Sequence, residues 1–174
     1  MISMSFKSVS FKVILGLTMA CSALAATYLW FADPLNIKSL SDQELISIFG
    51  AHPAAFEQLR QMATEDMQQE SYFNGSNLNS NLDTKRRQTY KSLLSEIYPH
   101  LVVTIDHGKI VRFIFASGGL SAIGAGWLKG IEYLPENYKA EGVRQNLDRG
   151  SELPPGVYLK NIEGRWFIIY QKTE

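Results

Sequence analysis

The chain has 174 residues, 45% apolar and 20% charged, enough for one ordinary domain with a buried core plus an appendage. Basic and acidic residues each number 17, yet only Lys7 and Lys12 precede Asp33, so residues 33–174 carry 17 acids against 15 basic residues. That mildly acidic body lacks the basic face that nucleic acid demands, and no nucleic-acid partner is expected.

Residues 1–12 are short, polar to mildly apolar and positively charged. Val13 to Ala32 then runs without a charge. Twenty residues of helix span about 30 Å, the thickness of a hydrocarbon core. Lysines before the run and Tyr28, Trp30 and Phe31 at its end fit the positive-inside rule and an interfacial aromatic belt. Asp33-Pro34 stops the helix. A transmembrane signal anchor over 13–32 is the leading expectation. A cleaved signal peptide competes, because Ala23-Leu24-Ala25 has the small–x–small pattern. So does a lipoprotein signal acylated at Cys21, although Thr18 and Met19 depart from the usual lipobox residues. Each fate places the body, residues 35–174, outside the cytoplasm. An inner-membrane protein with a periplasmic C-terminal domain is expected, the alternatives being a periplasmic protein or a lipoprotein. Cys21 is the only cysteine, so the body has neither disulfide nor thiol chemistry.

The body opens with helices. Ser41 and Glu44 form a capping box, Leu40 is placed to staple onto Leu45, and Leu45, Ile48 and Phe49 share a face that Gly50 ends. His52-Pro53 restarts a helix whose core stripe is Phe56, Leu59, Met62 or Ala63, and Met67. Residues 71–83, rich in Asn, Ser and Gly, read as a loop. Asp83 caps a third helix with Tyr90, Leu93, Leu94, Ile97 and Tyr98 on its inner face. Lys85, Arg86 and Arg87 sit in its first turn, against the helix dipole. A solvated face offset by nearby acids explains them better than an acidic or lipid partner.

Strands follow. Leu101–Asp106 and Lys109–Ala116 make a hairpin around His107-Gly108, and Gly126–Leu134 is a third strand stopped by Pro135. Ser117 to Gly130 holds five glycines. The segment 136–153 is polar, with a short helix expected around Glu141–Leu147. Val157–Ile162 and Arg165–Lys172 close the chain as a hairpin turned at Glu163-Gly164. Helices first and strands after give an α+β fold: two to three helices packed on a mostly antiparallel sheet of about five strands.

No catalytic signature emerges. His52, His100 and His107 are scattered, and Ser117 and Ser121 lack the glycine spacing of a nucleophile elbow. No metal-ligand spacing is present. Gly119 to Gly124 has the first spacing of a phosphate-binding loop, but Ala125-Gly126 replaces Lys-Ser/Thr and a strand follows. The glycine cluster therefore reads as a wide connection between two strands, with Gly126 and Gly130 marking a bulge or bend that exposes Trp127 and Lys129. No catalytic residue, cofactor or metal is expected.

Residues 39–66 (SLSDQELISIFGAHPAAFEQLRQMATED), TYKSLL at 89–94, WLKGIEY at 127–133 and GVYLKNIEGRWFIIYQK at 156–172 together resemble a group of small, uncharacterised, membrane- or lipid-anchored envelope proteins of Gram-negative bacteria. The likeness spans roughly residues 35–172 and lies in apolar and turn positions, not in a catalytic signature. Pro53 departs from it, where an arginine is expected after the first helix. The resemblance implies an envelope location and this fold, and carries no activity to any residue.

The expected function is a non-catalytic, envelope-anchored binding module for a protein partner, of immunity type or an accessory subunit. A hydrolase or ligand-binding domain acting on envelope material is the alternative, and it calls for His100 or His107 beside a carboxylate in a pocket. Arg112, Trp127, Lys129, Tyr133, Arg165 and Trp166 are the residue types enriched at interface hot spots, and they are the expected binding residues. Each aromatic among them has a competing role in strand packing.

Overall fold

The computed structural model describes residues 39–67, 71–106, 109–120 and 125–174. The expected anchor at 13–32, the basic residues before it, Cys21 and the His107-Gly108 turn lie outside the described residues. Among the described residues no helix is long and apolar enough to cross a membrane.

Local chemistry sets the helices. Helix α1 (Asp42–Ala51) starts at the Ser41/Glu44 capping box: Ser41 Oγ accepts from the Glu44 N–H at 3.2 Å, and Glu44 Oε2 accepts from the Ser41 N–H at 2.6 Å. It ends where the His52 N–H donates to the Ile48 and Phe49 carbonyls, and Pro53 opens α2 (Pro53–Asp66) at a position that needs no donor. Helix α3 (Thr84–Ile97) is capped by Asp83, which accepts from the Arg86 N–H at 2.8 Å. The inner faces are those expected, with Leu45 and Phe49, then Phe56, Leu59, Met62 and Ala63, then Tyr90, Leu93, Leu94 and Ile97 all buried.

The basic first turn of α3 has a tertiary explanation. Arg86 reaches Asp66 at 2.8 Å through Nε and Glu65 at 2.8 Å through a terminal nitrogen, both acids lying in the last turn of α2. Acids at a C-terminus and bases at an N-terminus each oppose their own helix dipole. Here each end supplies the charge that the other lacks. The buried Tyr90 hydroxyl donates to the same Asp66 at 2.8 Å, which fastens the two helices from below.

The strands are β1 (Ser71–Phe73), β2 (Val102–Asp106), β3 (Ile110–Leu120), β4 (Ala125–Tyr133), β5 (Gly156–Glu163) and β6 (Trp166–Lys172). They form one antiparallel sheet in the order β1-β2-β3-β4-β6-β5. Because side chains alternate, the sheet has two distinct faces. Val103, Ile105, Val111, Phe113, Ile131, Ile168 and Tyr170 join the helices in the main core. Phe56 sits at its centre, 4.9 Å from the Phe113 ring and 5.9 Å from the Trp166 ring. The opposite face carries a smaller cluster of Ile110, Leu134, Leu159, Phe167 and Ile169, packed against Leu128, Tyr138 and Ala140.

The chain departs from expectation at three places. The sheet has six strands, because Ser71–Phe73, within the Asn-rich segment, pairs with Val103–Ile105. The expected helix at Glu141–Leu147 is absent. Gly142 adopts φ 67°, and the segment lies along the outer edge of β5, with the Arg144 N–H donating to the Leu159 carbonyl at 2.7 Å. The bare edge of β5 offers backbone partners that a polar stretch without helical periodicity cannot supply itself. The only helical turn there is a 3₁₀ turn at Gly150–Glu152.

The glycine cluster is the third. β3 runs on through Gly118 and Gly119, which pair with Trp127 and Gly126, so much of the expected connection is ladder. The register shift falls between Ile114 and Ala116, which face Gly130 and Lys129, so an irregularity does lie at Gly130, but it leaves Lys129 buried and not exposed. Gly118 gives the Trp127 indole a flat floor, and a Cβ there would sit 2.8 Å from the indole nitrogen. Trp127 stacks on Tyr170 at 6.2 Å and 15°, and Tyr170 lies against Gly150. At Gly130 a Cβ would collide with the Phe113 carbonyl oxygen in the facing strand. Backbone cannot swing aside as a side chain can, so Gly130→Ala is expected to cost about 1–3 kcal/mol or more, read as a lowered urea midpoint. An unchanged midpoint would contradict the close approach.

Candidate functional site

Two charged constellations occupy the two faces of the sheet. On the helix side, Asp42 is 2% exposed and Lys129 1% exposed. Lys129 Nζ lies 2.8 Å from Asp42 Oδ1 and 3.1 Å from Asp148 Oδ1. Lys160 Nζ donates to Asp42 Oδ2 at 3.0 Å, and the Leu147 N–H donates to the same oxygen at 2.8 Å. The Asp42 N–H in turn donates to Asp148 Oδ1 at 2.6 Å. Burial alone would raise the Asp42 pKa, but the bonds from Lys129, Leu147 and Lys160 together outweigh it and hold the carboxyl below its ordinary value. Asp42 Oδ1 meets Lys129 as an ion pair and accepts no hydrogen bond, while Oδ2 accepts two, and the network works as a fastener between α1, β4, β5 and the 147–148 segment.

On the face that carries none of the described helices, the ladder places Tyr72 beside Thr104, Thr104 beside Arg112, Arg112 beside Glu132 and Glu132 beside Phe167. This row runs from rim to interior. Tyr72 is 70% exposed, Thr104 and Arg112 are half-buried, and Glu132 is 2% exposed. Arg112 Nε donates to Glu132 Oε2, and a terminal nitrogen lies 3.6 Å from Asp106 Oδ2. Burial pushes the Glu132 pKa up, Arg112 pulls it back without cancelling the shift, and Asp106 adds to it. Above Arg112 the face opens into a groove of about 470 Å³ lined by Tyr72, Thr104, Asp106, Ile114 and Leu128.

Of the six expected binding residues, Arg112 alone lines this groove. Lys129, expected at an exposed bend, is buried in the ion network. Trp127 is half-buried in its stack, not displayed. Tyr133 lies under the Arg60 guanidinium at 4.5 Å and against Trp166 at 5.2 Å. Trp166 also touches Phe49 at 5.3 Å. Arg165 donates to the Leu134 and Tyr138 carbonyls at 2.7 Å each and also to Pro135, which pins the 135–138 segment.

Of the three histidines, His52 and His100 lie among the described residues, and they occupy separate places on the surface. His52 Nδ1 is 3.4 Å from Glu96 on the surface. His100 lines a second, smaller groove of about 160 Å³ with Asn74, Ser76 and Ser95, and no carboxylate is among its lining residues. Among the described residues no group of three or more His, Cys, Asp or Glu is placed to hold a metal ion. No protein-family model, curated protein or solved structure matches the chain.

The two buried carboxylates respond to pH with opposite sign. The Asp42 contribution is fully present above its unfolded pKa, near 3.8, and disappears as pH falls through the lower folded value. Asp42→Asn should lose about 3–5 kcal/mol at pH 7, because Lys129 is left buried with a poorer partner. Urea unfolding across pH 2–7 should show that gap closing only in strong acid. Glu132 takes up a proton on folding, so its contribution declines as pH rises from near 4.5 through the raised folded value. Glu132→Gln should remove that decline. A slope that persists in the variant would mean that another group produces it.

Proposed function

We propose that residues 35–174 form a non-catalytic binding module for a protein partner, of immunity type or an accessory subunit of an envelope complex. Residues 13–32 hold it at the inner membrane, with the body in the periplasm. The observation that supports this reading is the face over β1 to β4, which none of the described helices covers. There, an exposed tyrosine, a half-buried arginine and the apolar side chains Ile114 and Leu128 surround a groove. Tyrosine and arginine around an apolar centre are the residues that dominate binding energy at protein interfaces. The charge-free run after two lysines supports the anchor.

Cross-linking the full chain in its native envelope, followed by capture, tests the module. Wild type should retain specific proteins that Tyr72→Ala/Leu128→Ser loses tenfold or more, while Lys91→Ala on the outer side of α3 retains them. Identical captures from all three would sink the reading. Mass measurement of the mature N-terminus tests the anchor: an intact start supports it, and a start at Ala26 or at acylated Cys21 replaces it.

A further inference from the structure

We propose that Asn74-Gly75, in the loop that leaves β1, is a site of spontaneous covalent modification, where the asparagine deamidates through a cyclic imide formed with the Gly75 nitrogen. This chemistry is the chain's own and needs no partner.

Three asparagines fold their side chains forward, each amide oxygen accepting the N–H two residues on. Asn74 accepts from Ser76 at 2.8 Å, Asn79 from Asn81 at 2.9 Å and Asn146 from Asp148 at 2.7 Å. The fold-back carries the side-chain amide carbon toward the nitrogen of the residue in between, which is the nucleophile. At Asn146 that nitrogen belongs to Leu147, which is buried and whose N–H donates to Asp42 at 2.8 Å. At Asn79 it belongs to Ser80, whose side chain crowds the approach. At Asn74 it belongs to Gly75, which has no side chain, and no other asparagine in the chain precedes a glycine. Gly75 is exposed, and among the described residues its N–H finds no hydrogen-bond partner, so solvent base can take the proton.

The oxygen side is prepared as well. Asn74 Oδ1 accepts a second N–H, from Asn77 at 3.2 Å, so two backbone donors converge on the atom that becomes negative as the ring closes. The Gly75 nitrogen gives its proton to solvent base and bonds to Asn74 Cγ. The Cγ–Nδ2 bond then breaks, and the nitrogen leaves as ammonia with a proton from water. Water opens the five-membered imide at either carbonyl. Breaking the bond from nitrogen to Cγ gives aspartate, and breaking the bond to the main-chain carbonyl carbon gives isoaspartate. One water is consumed and one ammonia released, with no redox change. Both products put a carboxylate on the wall of the groove that His100 lines. Isoaspartate also adds a carbon to the main chain directly after Phe73, which is buried with its ring 5.1 Å from Tyr90.

Ageing the full chain in detergent micelles at mildly alkaline pH, with peptide mapping by fragmentation, tests the site. Residue 74 should gain about one dalton and divide into aspartyl and isoaspartyl forms, about tenfold or more faster than Asn79 or Asn146 changes. A Cβ at Gly75 would meet nothing within 4 Å, so Gly75→Ala should fold normally. It should slow the reaction about tenfold or more, because the methyl group hinders the nitrogen. The folded chain should age at residue 74 at least as fast as the chain unfolded in guanidinium chloride, since the loop holds the side chain over the nucleophile. That comparison uses wild type and stands even if the variant misfolds. Slower ageing in the folded chain, a smaller lead over Asn79, or Gly75→Ala ageing as wild type does would each overturn the proposal.

Discussion

A carboxylate taken out of water at the first residue of a helix is expensive unless every lone pair is answered, and Asp42 has that problem. Its solution organises much of the domain. Lys129 comes from the middle of β4, Lys160 from β5 and the Leu147 amide from the segment that wraps around the sheet edge. All three come from parts of the chain far from Asp42 in sequence, and together they offset its charge, although Oδ1 is held by ion pairing alone. The apolar contacts of the core are tolerant of small shifts, whereas this network accepts one arrangement. It therefore acts as a register pin: α1 sits at one height on the sheet, and the 147–148 segment closes at one place. Buried ionic groups serve this role more reliably than they serve stability.

The two faces of the sheet have consequently different tasks. On the helix side, rings and aliphatic chains fill the space, and the charges that enter it are tied to each other. On the opposite side, the polar segment after β4 covers only the half over β5 and β6. Arg165 holds that cover by donating to the Leu134, Pro135 and Tyr138 carbonyls, and among the described residues nothing covers the remaining strands. The row from Tyr72 to Phe167 passes from the open half to the covered half, so Glu132 lies at the boundary, buried beneath the half-buried Arg112. A groove with such a floor is a natural product of a sheet only half roofed.

What could be read from the sequence was local. Caps, core stripes and terminal strands depend on neighbours a few residues away, and Ser41, Asp83, Pro53 and the apolar spacing of α2 and α3 announce them directly. Strand β1 did not announce itself, because three residues amid asparagines gain their strand character only from β2. The 141–147 segment likewise took its conformation from the edge of β5. Lys129 and Glu132 show the limit most clearly. Both are charges in an apolar strand and both look like solvent-facing positions. They point to opposite faces and are buried by partners from distant elements, Asp42 for one and Arg112 for the other. Strand alternation separates them by face, but only the tertiary arrangement says which charge each meets. The glycines have the same lesson. Their spacing resembled a phosphate loop, whereas Gly118 and Gly130 are required by an indole and by a carbonyl in facing strands.

The position of Asp42 in the chain has a mechanical meaning. It follows the capping serine in the first turn of α1, so a pull that opens this turn meets Asp42 at once. There the load is divided between the central strand β4, the edge strand β5 and a loop backbone, and is not borne by one helix. Helix α1 therefore resists peeling at its first turn, because β4 and β5 share the tension with it.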